Sequence, residues 1–378
     1  IVATKLPIEI INEFTNMPEV SDVISKGKTK SSVRLKNGIQ CDLRVVTNTE
    51  FPFALNYFTG SKAHNVRMRS LAIKKGYNLN EYALSSKDKN NQTTINDESD
   101  LYKALGLSFI HPALREDQGE IEAAEISDLP KLVKIENLKG TFHNHTTDSD
   151  GKNSLDEMAK AASDLGLQYL GISDHSKSSV QANGLSDESL IKQIKEISQY
   201  NKTNKNDIKI FSGVECDILK DGSLDYEDSI LSQLDYCVAS VHSSFSLTED
   251  EMTQRVIKAI ESPYVTMIGH LTGRLLLLRK PYDINVSKII DACAKNDTII
   301  EINANPRRLD MDWRWWKTAK DKGVKCSINP DAHKIEHLQF LHFGVKIAQK
   351  GWLEPSDVVN CLPLDEITKL LKQKTTEQ

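Results

Sequence analysis

The chain has 378 residues, is 39% hydrophobic and 27% charged, and carries a formal net charge of −5. That length admits two domains and a large core. No apolar run approaches the roughly 20 residues that a membrane span needs, and no signal peptide or lipidation motif stands out. A cytoplasmic protein with no membrane partner is therefore expected. The charge is uneven: residues 1–80 hold 12 Lys and Arg against 6 Asp and Glu, the remainder 36 against 47. A basic N-terminal part suits phosphate backbones, although a solvated lysine-rich surface would read the same, and an acidic remainder suits cations. The six cysteines are widely spaced with no Cys-x-x-Cys pair, as expected of reduced core thiols. The chain opens on Ile1 inside an apolar segment, so it is expected to be part of a longer protein.

Two patterns meet near residue 130. Before it, Lys30–Lys36 and Ile39–Val46 flank Asn37-Gly38, a strong hairpin signal. In the second strand Ile39, Cys41, Leu43 and Val45 alternate with Gln40, Asp42 and Arg44, so Asp42 and Arg44 share the face opposite the apolar set. A helix is predicted from about Lys62 to Gly76, carrying Lys62, Arg67, Arg69, Lys74 and Lys75 and no acid. Residues 85–100 are polar and read as a loop. The domains are expected at 1–108 and 139–378, with 109–138 as a connector.

After residue 139 short apolar strands alternate with amphipathic helices, for example Ser154–Gly166, with Ser154 as N-cap, and Asp187–Tyr200. Strands are predicted to end near His145, His175, Glu215, His242, His270, Asn303 and His333. Seven strand–helix units suggest an α/β class fold, a parallel barrel one unit short of eight. His143 and His145 are two apart and share a strand face, as do Asp331 and His333. Nine His and carboxylate groups at equivalent strand ends exceed the needs of one ion and suit zinc, manganese or iron. A multinuclear metal site of this kind points to phosphate-ester hydrolysis.

His143-x-His145-x4-Asp150-Gly, Asp174-His175, Gly213-Val-Glu215, Ser240-Val-His242, Gly269-His270 and Asp331-Ala-His333 resemble the motif set of the polymerase-and-histidinol-phosphatase (PHP) metallohydrolase superfamily. Ala182-Asn-Gly-Leu185, Thr272-Gly-Arg-Leu-Leu276, Glu301-Ile-Asn-Ala-Asn-Pro306 and Gly351-Trp-Leu353 narrow the resemblance to the version fused to bacterial and archaeal family X DNA polymerases. Two departures, Leu271 where Pro is common and Pro330 where Thr is common, replace no ligand. The resemblance implies a distorted (βα)7 PHP barrel holding three divalent metals. His143, His145, Glu215 and Asp331 would hold the first, and Glu215 would bridge to a second on His242 and His270. Asp150, His175 and His333 would hold the third. A metal-bound hydroxide at Glu215 would attack phosphorus. Asp174 would either orient its neighbour His175 or serve a structural role. Arg274, Arg307 and Arg308 follow the fifth and sixth strands, and either anchor a nucleic-acid backbone or tie loops by ion pairs. Trp313, Trp315 and Trp316 are expected to pack between helix and barrel.

In the N-terminal part, Gln40-Cys-Asp42-Leu-Arg-Val-Val46 and Tyr57-Phe-Thr-Gly-Ser-Lys-Ala-His-Asn65 resemble the end of the palm and the start of the thumb of family X polymerases, in a partial α+β palm/thumb region. By that match Asp42 is a catalytic carboxylate of a magnesium- or manganese-dependent polymerase site, and Tyr57, Phe58, Gly60 and Asn65 line the nucleotide. By the same match Arg69 would touch the template side, with Lys74 and Lys75 beside it on the basic helix. The other two polymerase carboxylates are expected before Ile1, so this chain alone is not expected to polymerise. The resemblance implies DNA with primer-template, gapped or single-stranded 3′ ends as partner, and a deoxynucleoside triphosphate in the longer protein. The expected activity is metal-dependent 3′–5′ exonuclease, with 3′-end or abasic-site processing at the same centre. Two rivals stand beside it: a small-molecule phosphomonoesterase of the histidinol-phosphatase kind, and a non-enzymatic DNA-binding module on a metal-stabilised barrel.

Overall fold

The computed structural model describes residues 1–86, 94–203 and 207–376, and divides into two units, Ile1–Leu129 and Pro130–Gln378. The division falls inside the stretch read above as a connector. Among the described residues no helix is long and apolar enough to cross a membrane.

In the first unit, β1 (Val2–Ala3), β2 (Val20–Lys26), β3 (Lys30–Leu35) and β4 (Gln40–Val46) form a sheet in the order β1-β4-β3-β2. The hairpin around Asn37-Gly38 is present, with Arg34 paired to Gln40 and Gly38 at φ 88°, a conformation that favours glycine. Alternation along β4 turns Leu43 and Val45 inward, where they bury Ile11 of the helix Pro7–Thr15. The basic helix is present as Lys62–Lys74, N-capped by Ser61, whose hydroxyl accepts from the His64 amide at 3.2 Å. Its inner face is polar as well as apolar: His64 Nδ1 lies 2.7 Å from Glu120 and its Nε2 3.0 Å from the Tyr102 hydroxyl. Of the polar stretch 85–100, residues 87–93 lie outside the described residues. Its ends are ordered differently from a loop, in the hairpin β5 (Tyr77–Leu79) and β6 (Leu84–Ser86) and in the helix Glu98–Ala104.

The second unit is the expected parallel barrel. Its seven strands are β7 (Gly140–Thr141), β8 (Tyr169–Ile172), β9 (Lys209–Asp217), β10 (Tyr236–Ser240), β11 (Met267–Ile268), β12 (Ile299–Asn303) and β13 (Cys326–Asn329). They pair in sequence order, all parallel. The period of two sorts their side chains. Phe211, Tyr236, Val238, Met267 and Ile299 join one cluster, which Ile367 and Leu371 of the last helix also enter. Ile210, Ala239, Ile268, Ile300 and Ile302 join another beneath the surrounding helices. Gly213 must lack a side chain, because a Cβ there would sit 2.3 Å from the Tyr236 ring. Those helices carry strong local signals: Ser154 and Glu157 cap the helix Leu155–Asp164 reciprocally, a device worth about 1 kcal/mol.

The barrel closes by side chains and a short bridge instead of a full ladder between β13 and β7. The His145 amide donates to the Ala332 carbonyl at 2.8 Å and the Ala332 amide to His143 at 3.2 Å. Below them the Asn360 amide nitrogen donates to Gly140 at 2.9 Å and to Ile328 at 2.8 Å. The seam thus brings the His143–His145 segment against Asp331–His333.

Candidate metal centre

All nine strand-end groups converge at the C-terminal mouth of the barrel. Glu215, on β9, is buried at the middle and divides its oxygens. Its Oε1 lies 2.8 Å from His270 Nε2 and 3.2 Å from His242 Nε2. Its Oε2 lies 3.0 Å from His175 Nδ1, 3.2 Å from His143 Nε2 and 3.7 Å from His145 Nε2. Asp331 Oδ1 completes the second side, 3.4 Å from His145 Nε2 and 3.8 Å from His143 Nε2. Farther out, Asp150 lies 3.7 Å from His175 Nε2 and 3.4 Å from His333 Nε2. Asp331 stands at φ 51°, a conformation rare for a residue with a side chain and common where function fixes the backbone.

The donor set fits divalent cations. Buried ring nitrogens of His143, His145, His175 and His270, with Asp150 Oδ1, have no hydrogen-bond partner among the described residues. Buried polar atoms are otherwise paired in folded proteins, so these await a ligand. The electrostatics agree. Burial opposes a charge on His143, yet Glu301, Glu215 and Asp331 outweigh it and hold its imidazolium well above the ordinary range. Burial also opposes His242, where Glu215 and Asp217 win and push it up to about 10. Burial favours a neutral Glu215, but His143, His242 and His175 hold its carboxyl well below the usual range. His145, buried and flanked by His333 and His175, falls to about 3. The carboxylates demand positive charge, and bound cations would supply it in place of protons.

Two carboxylates to which the sequence reading gave no role set the imidazole orientations. Glu301 Oε1 lies 2.7 Å from His143 Nδ1, and its Oε2 accepts from the His270 amide at 2.7 Å. Asp217 Oδ1 lies 2.5 Å from His242 Nδ1. Each leaves the opposite nitrogen facing Glu215, the arrangement that fixes a ligating tautomer. A signal existed: Asp217 shares a strand face with Glu215, and Glu301 is a lone charge in Ile-Ile-Glu-Ile-Asn. Asp174 does not touch His175 with its side chain in any described hydrogen bond. It accepts from the Thr146 amide and hydroxyl at 2.7 Å each, from Ser149 at 2.5 Å and from Gln193 at 2.6 Å. Its role is to hold the loop that ends at Asp150.

The three arginines differ. Arg274 ties loops, donating to the Arg308 carbonyl at 2.8 Å, to Asp312 at 2.9 Å and to Leu309. Arg308 Nε reaches Asp331 Oδ2 at 3.3 Å, beside the cluster, and Arg307 is exposed. Among the tryptophans, Trp316 is fully buried and Gly351 packs on it, whereas Trp315 is 37% exposed.

In the first unit Asp42 is exposed, and hydrogen bonds from Ser32 and Gln40 hold its carboxyl below the usual range. Arg44, two residues on, lies over the Phe58 ring at 5.4 Å. Arg69 lies over Tyr57 at 5.3 Å, and Asn65 donates to the Tyr57 carbonyl at 2.7 Å. Tyr57, Asn65 and Arg69 line one small cleft, next to the turn at Gly60. Lys74 is exposed, but Lys75 Nζ donates to the Leu105 carbonyl at 2.6 Å and ties the helix to its neighbour. Arg67 pairs with Asp117 and Glu122, acids outside the helix.

Comparison with known proteins gives the same two parts. Residues 54–116 match the DNA polymerase beta thumb family and residues 141–305 the PHP domain family. The DNA polymerase/3'-5' exonuclease PolX of Bacillus subtilis is 40% identical over 375 residues, which is 99% of this chain and 65% of that protein. A probable phosphatase of Thermoanaerobacter sp. (strain X514) is 28% identical over 243 residues, 61% of this chain and 94% of the relative. A probable phosphatase of Acetivibrio thermocellus is 29% identical over 200 residues, 50% of this chain and 78% of the relative. With a match to the polymerase beta thumb followed by a match to the PHP domain, and 40% identity along almost its entire length, the chain is similar to PolX of Bacillus subtilis, of whose length it spans 65%.

Proposed function

We propose that the barrel is a metal-dependent phosphodiesterase that removes nucleotides from DNA 3′ ends. The observation that carries this is the division of Glu215, with one oxygen facing His242 and His270 and the other facing His143, His145 and His175. The ligand atoms gather in four overlapping groups, His145, Asp150, His175 and His333; His143, Glu215 and His270; His143, His145 and Asp331; and His175, Glu215 and His242, which supports a reading of three divalent ions, zinc, manganese or iron, that share ligands. When bound, such ions supply a water acidic enough to ionise near neutral pH and positive charge opposite the phosphoryl oxygens. The chain's own residues orient the rest. Glu301 and Asp217 fix two imidazoles, Asp174 fixes the Asp150 loop, and Arg308 offers a guanidinium at the rim for a phosphate.

The first unit supports DNA as the substrate. Its thumb, the exposed Arg69 and Lys74, and the cleft at Tyr57 and Asn65 suit a nucleic-acid backbone and a nucleotide, as in the named activity of the Bacillus subtilis relative. Asp42, on the strand face it shares with Arg44, is our candidate carboxylate for a magnesium- or manganese-dependent polymerase site. The second reading is a phosphomonoesterase, favoured by the relatives named probable phosphatases, which match 61% and 50% of this chain. Incubation with 5′-labelled single-stranded DNA and with a small phosphomonoester, each with manganese or zinc, separates the two. Stepwise shortening of the DNA with little monoester turnover is expected; the reverse preference would favour the second reading.

A further inference from the structure

The loop after β11 carries Arg274-Leu-Leu-Leu-Leu-Arg279-Lys280. It doubles back on itself, with the Leu275 amide donating to the Arg279 carbonyl at 2.9 Å and the Arg279 amide to Leu275 at 2.8 Å. The turn thrusts three leucines into solvent: Leu276, Leu277 and Leu278 are 37%, 105% and 72% exposed. A contiguous apolar tip of this kind marks an interaction site.

Its base is rigid. Arg274 is tied to the Arg308 and Leu309 carbonyls and to Asp312. Arg279 donates to the Gly273 carbonyl at 2.7 Å and lies over the Phe245 ring at 4.4 Å. The Leu276 amide donates to the Arg307 carbonyl at 2.6 Å, and the next residue, Arg308, reaches Asp331 in the cluster. The tip therefore stands on the rim of the candidate metal centre, connected to it by direct bonds. Arg274–Lys280 contains three cations and no acid, and Arg307 is exposed beside it.

We propose that Leu276–Leu278 form a wedge that enters the stack at a duplex DNA end and frees the 3′-terminal nucleotide for the metal centre. Apolar side chains unstack base steps in this way when flanking cations hold the phosphates. The charge around the tip complements a DNA backbone, and the position beside Arg308 directs a freed strand toward Asp331. The proposal rests on the phosphodiesterase reading above.

The test uses a blunt duplex with 2-aminopurine in the 3′-terminal base pair. With chelated, hydrolytically silent protein, binding of the wild type is expected to raise the fluorescence. Combined Leu276→Ser, Leu277→Ser and Leu278→Ser substitution is expected to remove the rise, whereas Leu277→Met keeps it. With manganese restored, the ratio of the rate on paired 3′ ends to that on unpaired 3′ ends should fall about tenfold or more in the triple variant, since unstacking costs a few kcal/mol per step. An absent wild-type rise, or a triple variant with wild-type fluorescence and an unchanged ratio, overturns the wedge. A triple variant altered only in self-association or in flotation with anionic vesicles also overturns it, in favour of those partners. If the wild type released no nucleotide from any DNA end, the phosphodiesterase reading would fail, and the fluorescence arm would still judge the wedge.

Discussion

Nδ1 of His143 lies 2.7 Å from Oε1 of Glu301 in the barrel wall, and Nε2 of the same ring lies 3.2 Å from Glu215. Glu301 also accepts from the amides of Asn329 at 3.0 Å and Asn303 at 3.1 Å, so its carboxylate is held on several sides. This rigidity converts a flexible imidazole into a directed donor. Glu301→Gln keeps the shape and removes the charge. It is expected to weaken metal binding about 10- to 100-fold with the fold intact, read by competition with a calibrated chelator. Unchanged affinity would show that His143 needs no such support.

Asp174 supports the outer group in a different way. Its four accepted hydrogen bonds gather Thr146, Ser149 and Gln193. Asp174→Ala leaves buried donors unpaired, which costs on the order of 1–3 kcal/mol each when no water replaces the acceptor. The expected result is a lowered melting temperature together with loss of metal from the group around Asp150. Metal content per chain, measured by mass spectrometry, checks it; full occupancy in the variant would contradict it.

A third expectation concerns pH. Asp310 is fully buried, and burial pushes its carboxyl up to about 6 despite hydrogen bonds from Thr272 at 2.9 Å. The native state therefore keeps a proton that the unfolded chain releases near 3.8. The resulting stabilisation is complete below that value and is lost as pH rises through about 6. Comparison with Asp310→Asn by denaturant unfolding should show the stability difference, wild type minus variant, falling by on the order of 3 kcal/mol between about pH 4 and 7. Parallel profiles would refute the shift.

The barrel was legible because its signals are local and repeated. His143-x-His145 reports a strand face directly, and seven apolar runs ending in His, Asp, Glu or Asn mark equivalent positions without knowledge of contacts. Asp217 and Glu301 were given no role, Glu301 appearing only as part of a quoted segment, because a carboxylate that orients a ligand and one that binds metal look alike in sequence. Which of Arg274, Arg307 and Arg308 approaches the cluster depended on loop geometry, and only Arg308 does so with its charged group. Lys75 illustrates the same limit: counted among the cations of a basic helix, it is engaged with Leu105 30 residues away. Asp42 was proposed only through resemblance, since an exposed acid on a strand carries no chemistry of its own.

The basic helix offers a fourth expectation. Arg69 and Lys74 are exposed, whereas Lys75 is tied to the fold. Substituting Arg69 and Lys74 with Ala should weaken duplex binding and flatten its salt dependence by up to about one unit of log–log slope per contact. Anisotropy titrations across a salt series measure both. Hydrolysis of a dinucleotide, which needs the barrel alone, should barely change, and its collapse would mean that the helix supports the barrel instead of holding DNA.

Metal reconstitution of the chelated protein is the most direct test of the central claim. Manganese or zinc is added back in steps, and bound ions per chain are counted alongside nucleotide release from a DNA 3′ end, for the wild type and for Glu215→Ala. Activity is expected to return in step with occupancy of about three ions in the wild type. The variant, folded by circular dichroism, is expected to hold fewer ions and release no nucleotide. Release by the fully chelated wild type, or by Glu215→Ala at the wild-type rate, would contradict the account.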